Sequence, residues 1–505
     1  MRAVTKEPLQ IAANAVHARI LGASRETEID ILNMLSFEVE QAPGSRGRGN
    51  GWDGRSSLFD MSKKCFPAGF VHMVGRVLEQ RGHRVQYIVK PLPKPLGPEP
   101  GTFDPMGWGF TERYEYQPES IRRLLKYGRG IVRVATGGGK SRIAQLAYNA
   151  IQRPTLFLTT RVALMDQMKD GFENDSGVKC GIIGDGIFEP RRGMNVAMVQ
   201  TLAARLRDPN PDDSPEKQEK QRQIQRRTLA FLSYVEFVIG EEAHEVGGNY
   251  LLIMNLCKNA LYRMALTATP FMRADEEANM TLQGAFGSLI IEITEAELIA
   301  KGILAKPYFK TLPTPEVELL RRSTRWPSCY DMGIVNSKPR NEMILKEALR
   351  AKEYKLPTMV LIQRQNHGRE LLAMFTKAGL NAVFLFGETD QTARKYALNS
   401  LRTGGIDVII GSTIMDVGVD VPALGLVIIA GGGKAEIQYR QRIGRGLREK
   451  KTGPNICFFV DFDDRVNSTL LKHAITRQAI LKATPGFAEN MLSDTEDLPY
   501  HLLSK

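Results

Sequence analysis

The chain has 505 residues, a formal net charge of +12, and hydrophobic and charged fractions of 43% and 25%. This is the composition of a soluble globular protein with sizeable cores, and the length accommodates about three domains. No apolar run approaches the ~18 residues needed to span a bilayer, and the N-terminus lacks a signal-peptide apolar stretch, so a soluble intracellular protein is expected.

Five scattered cysteines, without a CxxC pair, argue for a reducing compartment and against disulfides or zinc. The basic excess suits a polyanionic partner, although a solvated basic surface explains charge alone equally well.

Residues 1 to about 90 mix short apolar runs with a basic centre, and Phe70 to Leu78 has the apolar spacing of a core-facing helix. Five prolines between Lys90 and Gly101 mark an extended, semi-rigid linker. Beyond residue 112, Gly130–Val134 reads as a strand and Ser141–Gln152 as a helix. Thr155–Leu158, Val196–Val199 and Phe237–Ile239 are further short buried strands. Asp208–Arg227 is almost wholly polar and reads as a surface loop running into a solvated helix, with a nucleic-acid contact the less favoured role.

Strand and helix alternate again through Thr358–Ile362, Ala382–Phe386, Asp407–Ile410 and Leu426–Ile429. Two parallel-sheet α/β domains follow from this pattern. The expected division is an N-terminal module with linker at 1–105, α/β domains at 106–312 and 313–480, and a tail at 481–505.

The chemistry-bearing stretches sit at strand ends. Ala135-Thr136-Gly137-Gly138-Gly139-Lys140-Ser141 lies between a strand and a helix. Its glycines let backbone N–H groups surround phosphates, Lys140 neutralises charge and the Ser141 hydroxyl suits Mg²⁺. A strict P-loop has glycine where this chain has Val134. Glu241 and Glu242 end an apolar strand, where an ATPase holds its metal and orients water. Arg445 and Arg448, three apart, would share a helix face and stabilise phosphoryl charge. Gly431-Gly432-Gly433-Lys434-Ala435 imitates a second P-loop but lacks the hydroxyl, so it is read as a plain loop.

Taken together, residues 112 to 465 resemble a superfamily 2 helicase. Tyr116-Gln117 resembles the adenine-reading Q motif, and Ala135–Ser141 motif I. Thr159-Thr160-Arg161, with Leu164 and Gln167, resembles motif Ia, and Gln200-Thr201-Leu202 the next strand-contacting motif. Glu241 to His244 resembles the DEAH box, and Thr267-Ala268-Thr269 motif III. Gly411-Ser412-Thr413 with Asp416 to Asp420 resembles motif V, and Gln441, Gly444, Arg445 and Arg448 motif VI.

The resemblance implies two RecA-like domains, with ATP between them and nucleic acid across their tops. It assigns ATP contacts to Tyr116, Gln117, Thr136, Gly137, Gly138, Gly139, Lys140, Ser141 and Asp420. Ser141 and Glu241 would hold Mg²⁺, and Glu242 would be the catalytic base, with Lys140, Gln441, Arg445 and Arg448 completing catalysis. His244, Thr267, Thr269 and Gly418 would couple hydrolysis to movement. Arg161, Gln200, Thr201 and Thr413 would touch the strand. Glu241 departs from the family's Asp by one methylene.

Trp52-Asp53-Gly54-Arg55, Leu58-Phe59-Asp60 and Phe66-Pro67-Ala68-Gly69 are similar to the small DNA-binding module that precedes the motor in phage UvsW-type branch-migration helicases. Ser45 to Lys94 holds ten Lys/Arg against three Asp/Glu, a net +7, with Arg46, Arg48 and Arg55 as backbone contacts. A small α+β module gripping DNA without reading sequence is expected. The leading expectation is an ATP-dependent DNA helicase or translocase in replication, recombination or repair, in a host cytoplasm if phage-encoded. An RNA helicase and a nucleotide-gated DNA-binding scaffold with weak ATPase remain open.

Overall fold

The computed structural model describes residues 8–39, 54–100, 112–243, 247–271, 275–315, 320, 325–412, 424–465 and 467–504. Arg46, Arg48, His244, Thr413, Gly418 and Asp420 lie outside them. The chain divides into two units: Met1–Val134 with Gly139–Glu292, and Ala135–Gly138 with Ile293–Lys505.

The first unit opens with a small α+β module. Strands β1 (Leu9–Ala13) and β2 (His17–Leu21) form an antiparallel hairpin. Helix α1 (Arg25–Met34) starts at Ser24, whose hydroxyl accepts from the Thr27 N–H. Strands β3 (Ser36–Glu38) and β4 (Arg55–Ser57) form a separate ribbon. β5 (Cys65–Pro67), helix α2 (Val71–Gln80) and β6 (Val85–Val89) complete a sheet ordered β5-β2-β1-β6. Alternate residues face inward, so Ile11, Ile20, Ile31, Phe66, Phe70 and Leu78 form one core.

This module is built against the α/β part of the same unit. A Cβ on Gly69 would lie 2.1 Å from the Gln283 carbonyl oxygen, so only glycine fits the approach. Met280 joins the module's core, and the Glu38 N–H donates to Glu276. The proline-rich stretch carries no helix or strand among its described residues, and it is tied down: the Leu96 and Gly97 N–H groups donate to Ile151 and Ala150, and the Tyr262 hydroxyl donates to Pro93 O.

The α/β part runs α3 (Tyr116–Tyr127), β7 (Arg129–Val134), α4 (Lys140–Ile151), β8 (Thr155–Thr159), α5 (Val162–Ser176), β9 (Gly181–Gly184), β10 (Ile187–Glu189), β11 (Met194–Met198), α6 (Val199–Arg205), α7 (Pro215–Tyr234), β12 (Phe237–Glu241), α8 (Gly248–Leu256), β13 (Tyr262–Thr267), α9 (Glu276–Phe286) and β14 (Leu289–Ile293). The sheet order is β10-β9-β11-β8-β12-β13-β7-β14. The register is parallel from β9 through β7, with β10 antiparallel at one edge. Every residue of β8, β11, β12 and β13 is buried, as continuous apolar strands covered on both faces must be. The polar insertion is the surface loop and solvated helix α7 that its composition implies.

The second unit contains α10 (Glu295–Ala300), β15 (Lys306–Leu312), α11 (Trp326–Tyr330), α12 (Lys338–Glu353), β16 (Thr358–Leu361), α13 (Gln365–Lys377), β17 (Ala382–Leu385), α14 (Gln391–Thr403), β18 (Val408–Gly411), β19 (Leu426–Ile429), α15 (Glu436–Gly446), β20 (Ile456–Phe462) and α16 (Ser468–Lys482). Its six strands are all parallel, in the order β15-β20-β19-β16-β18-β17.

Two expected boundaries move. β15, assigned by sequence to the first domain, pairs along its length with β20, so the second unit starts at Ile293 rather than 313. Residues 481–504 are bound into the second unit rather than forming a separate tail. The Leu492 N–H donates to Phe309 O, Lys310 Nζ donates to the carbonyls of Ser493, Asp494 and Glu496, and Tyr500 is buried in the core. Among the described residues, no helix is long and apolar enough to cross a membrane.

Candidate active site

Three chemistry-bearing segments leave the first sheet on the same edge. β12, β13 and β7 are neighbours, and the register pairs Glu241 with Leu266 and Thr267 with Arg133. The ends of β12, β13 and β7 therefore align at the carboxyl edge, where parallel sheets bind ligands.

From β7 the chain turns through 135–139 into α4. Gly137 and Gly139 have φ of +88° and +86°, which a side chain would strain. The Gly138 N–H donates to Ala135 O, and Gly139 caps α4 with no side-chain hydrogen bond. A first turn without a side-chain cap is a site for an anion. Lys140 Nζ donates to Val134 O at 3.4 Å, and Ser141 follows in the same first turn. Gln117, 3% exposed, lies over the loop: its Nε2 is 2.6 Å from where a Cβ on Gly139 would sit. The adjoining Tyr116 is buried, which raises its hydroxyl pKa to about 12.

Glu241 is the last residue of β12 and is 6% exposed, with Oε2 buried and unpartnered among the described residues. Burial raises its pKa to about 7, with Glu242 adding to the rise and Lys140 opposing it. Glu242 takes a left-handed backbone with φ +46°, a strained turn for a non-glycine residue. Thr267 and Thr269 are buried beside this edge, and the Thr269 N–H donates to Thr267 Oγ1 at 3.1 Å. The residues fit a polyphosphate with its cation: a glycine loop opens a helix beside a lysine, and a buried carboxyl oxygen has no partner among the described residues.

Farther along the same edge, Arg161 precedes α5 and its N–H donates to Thr159 Oγ1. Gln200, in the first turn of α6 with Thr201, donates from Nε2 to Thr160 O at 3.3 Å. The structure thus brings the Arg161 and Gln200 segments together. Arg55 stands apart on β4, with Nη2 donating to Ser36 O at 3.4 Å.

In the second unit, Gln441 and Arg445 lie on α15. Arg448 does not share their helix face. The helix stops at Gly446, and Arg448 forms a β-bridge with Leu304, with burial holding its pKa below the ordinary arginine value. Sequence reasoning passed over Arg442, which is 2% exposed and donates to Gly432 O at 3.4 Å. The i, i+3 spacing from buried Tyr439 marks it as facing inward. The Gly431–Ala435 stretch is a loop between β19 and α15, as expected.

Two family models match in tandem: "Type III restriction enzyme, res subunit" over residues 111–272 and "Helicase conserved C-terminal domain" over 340–450. The DNA 3'-5' translocase XPB2 of Sulfurisphaera tokodaii is 25% identical, over 67% of this chain and 79% of its own length. The pre-mRNA-splicing ATP-dependent RNA helicase prp28 of Aspergillus terreus is 27% identical over 36% of this chain, which spans only 27% of it.

Among solved structures, a fragment assigned to the HsdR subunit of a Vibrio vulnificus type I restriction enzyme superposes with a TM-score of 0.53 at 16% identity, covering 76% of this chain and 68% of that one. The fold is therefore shared. T4 UvsW covers 96% of this chain and 98% of its own with a TM-score of 0.42 and 19% identity, a superposition too loose to speak for its substrate. The tandem helicase models and the helicase relatives identify this chain as a superfamily 2 helicase, an ATP-dependent enzyme that binds nucleic acid.

Proposed function

We propose that this helicase acts on DNA, unwinding it or moving branched junctions in replication, recombination or repair. What carries the DNA reading over RNA is the resemblance of Trp52–Arg55, Leu58–Asp60 and Phe66–Gly69 to the DNA-binding module of UvsW-type helicases; the net +7 over Ser45–Lys94 suits a phosphate backbone of either kind. The likeness to a protein named a DNA translocase supports it.

In this reading Gln117 and Tyr116 select adenine. Thr136 to Ser141 hold the phosphates, and Asp420 approaches the ribose. Mg²⁺, held by Ser141 and Glu241, supplies neutralising charge. Glu242 orients water, while Gln441, Arg445 and Arg448 stabilise charge developing on the γ-phosphoryl. His244, Thr267, Thr269 and Gly418 transmit the change. Arg161, Gln200, Thr201 and Thr413 follow the strand, and Arg46, Arg48 and Arg55 grip its backbone without reading sequence. An RNA substrate is the second reading, favoured by the likeness to splicing RNA helicases.

Steady-state ATP hydrolysis with Mg²⁺ tests this, using single-stranded, duplex and forked DNA beside RNA of equal length, with Lys140→Ala as control. Stimulation by DNA that is lost in the variant is expected. Stimulation by RNA alone would overturn the DNA reading. Turnover retained by Lys140→Ala would remove the P-loop assignment.

A further inference from the structure

A cavity of about 320 Å³ lies in the first unit where the N-terminal module, the proline-rich stretch and the α/β part meet. That volume is in the range of small-molecule sites. Its walls include His72, Tyr87 and Tyr127, with the His72 ring 6.5 Å and 6.3 Å from the two tyrosine rings. Tyr87 is laid against Gly75 and its hydroxyl donates to Glu79, yet 38% of it stays exposed; Tyr127 is 42% exposed. These are amphipathic rings open to a flat partner.

The other lining chemistry is cationic: Lys90, Lys126 and Arg129, with no Asp or Glu among the described lining residues. Arg129 Nη2 donates to Ala15 O, but Nη1 is buried with no hydrogen-bond partner among the described residues. A buried guanidinium with one nitrogen unpaired and no carboxylate beside it among the described lining residues is costly, and an anion relieves it. Burial, reinforced by neighbouring Arg263, pulls its pKa down to about 9, in keeping with an uncompensated charge.

We propose that this junction cavity binds one nucleotide of a single strand, its base against Tyr87, Tyr127 and His72 and its phosphate on Arg129, with Lys126 and Lys90 beside it. This rests on the reading of the chain as a nucleic-acid motor. Aromatic stacking tolerates any base, so the site would grip a strand irrespective of sequence. It would also link strand position to the seam between module and motor.

The test uses the full-length protein without ATP. A dT oligonucleotide carrying 5-iodouracil is photo-crosslinked and the adducts are mapped by mass spectrometry, beside anisotropy titrations of wild type, Tyr127→Ala, Arg129→Gln and Arg129→Lys. Adducts on Tyr87, Tyr127 or His72 are expected, with binding weakened about tenfold in Tyr127→Ala. Arg129→Gln should lose binding that Arg129→Lys restores in part. Since Arg129 is partly buried, the exposed Tyr127 variant keeps the test open if Arg129→Gln misfolds.

Firm strand binding with adducts only elsewhere, and Tyr127→Ala unchanged, would overturn the cavity while leaving the motor reading intact. Failure of wild type to bind any strand would overturn both. Free dTMP competing at the strand's own affinity would show a mononucleotide site, overturning strand capture.

Discussion

Glu241 offers a test of the site that needs no substrate. A carboxyl that ionises near pH 7 in the fold and near 4.5 in the unfolded chain is held protonated by folding. Between those values the native state binds the extra proton, so stability falls as pH rises. Above about pH 7 the cost levels off at about 3 kcal/mol, from 1.36 kcal/mol for each pH unit between 4.5 and 7.

Glu241→Gln keeps the shape and removes the titration. Urea unfolding of wild type and variant, without nucleotide or divalent cation, should show their stability difference growing in the variant's favour from pH 5 to pH 8. Adding Mg²⁺ and ATP at pH 8 should then favour wild type, because cation and nucleotide stabilise only a site that can hold them. A stability difference independent of pH would refute the argument: Glu241 would ionise normally, and its burial would not be felt as desolvation.

Glu241→Asp restores the shorter carboxylate expected of the family. A large gain in ATP turnover would mark the present site as weakened, and little change would mark it as working. Gln117→Ala should collapse the preference for ATP over GTP, lowering the ratio of kcat/KM values about tenfold or more; an unchanged ratio would free Gln117 from base recognition. Asp175 accepts from Arg142 at 2.6 Å and also from Asn149, pinning α4 to α5. Asp175→Ala strands a buried guanidinium and should cost about 3–5 kcal/mol in urea unfolding, and a loss below about 1 kcal/mol would mean the pair adds little. Tyr500, 3% exposed with ring centroids 4.5 Å from Tyr354 and 5.0 Å from Phe458, should cost about 3–5 kcal/mol as Tyr500→Ala. Unchanged protease resistance would show that this segment does not support the second unit.

The strands of both α/β units were legible because parallel strands buried on both faces are unbroken apolar runs, such as Thr155–Leu158 and Leu426–Ile429. The phosphate loop was legible because Gly137 and Gly139 occupy backbone positions that other residues avoid. The position of β15 was not: its partner β20 lies some 150 residues later, and a pairing at that range leaves no local mark. Helical spacing suggested one face for Arg445 and Arg448, but the helix ends at Gly446 between them. The segment 481–504 looked like a tail because its anchors are scattered, namely carbonyls held by Lys310, the Asp497 carboxylate on Arg350 and the lone Tyr500 ring, and these form no periodic apolar pattern. Arg129 gave no signal in sequence, since its interest lies in the unpaired Nη1 and in the lack of acids among the described residues of its cavity.

β15 carries a consequence for biosynthesis. It lies at the margin of its sheet, with β20 on one side and Leu492 bonding to Phe309. Lys310 and Ser493, which meet there, are 183 residues apart. At 5–20 residues per second, the ribosome takes on the order of 10–40 s to deliver the second from the first. Until β20 emerges, some 150 residues after it, Lys306–Leu312 waits with both edges open, and the edge facing Leu492 stays open longer still, while the strands of the first unit up to Glu292 are already made. The nascent second unit is therefore the part most exposed to wrong pairing, and the part for which a chaperone matters most.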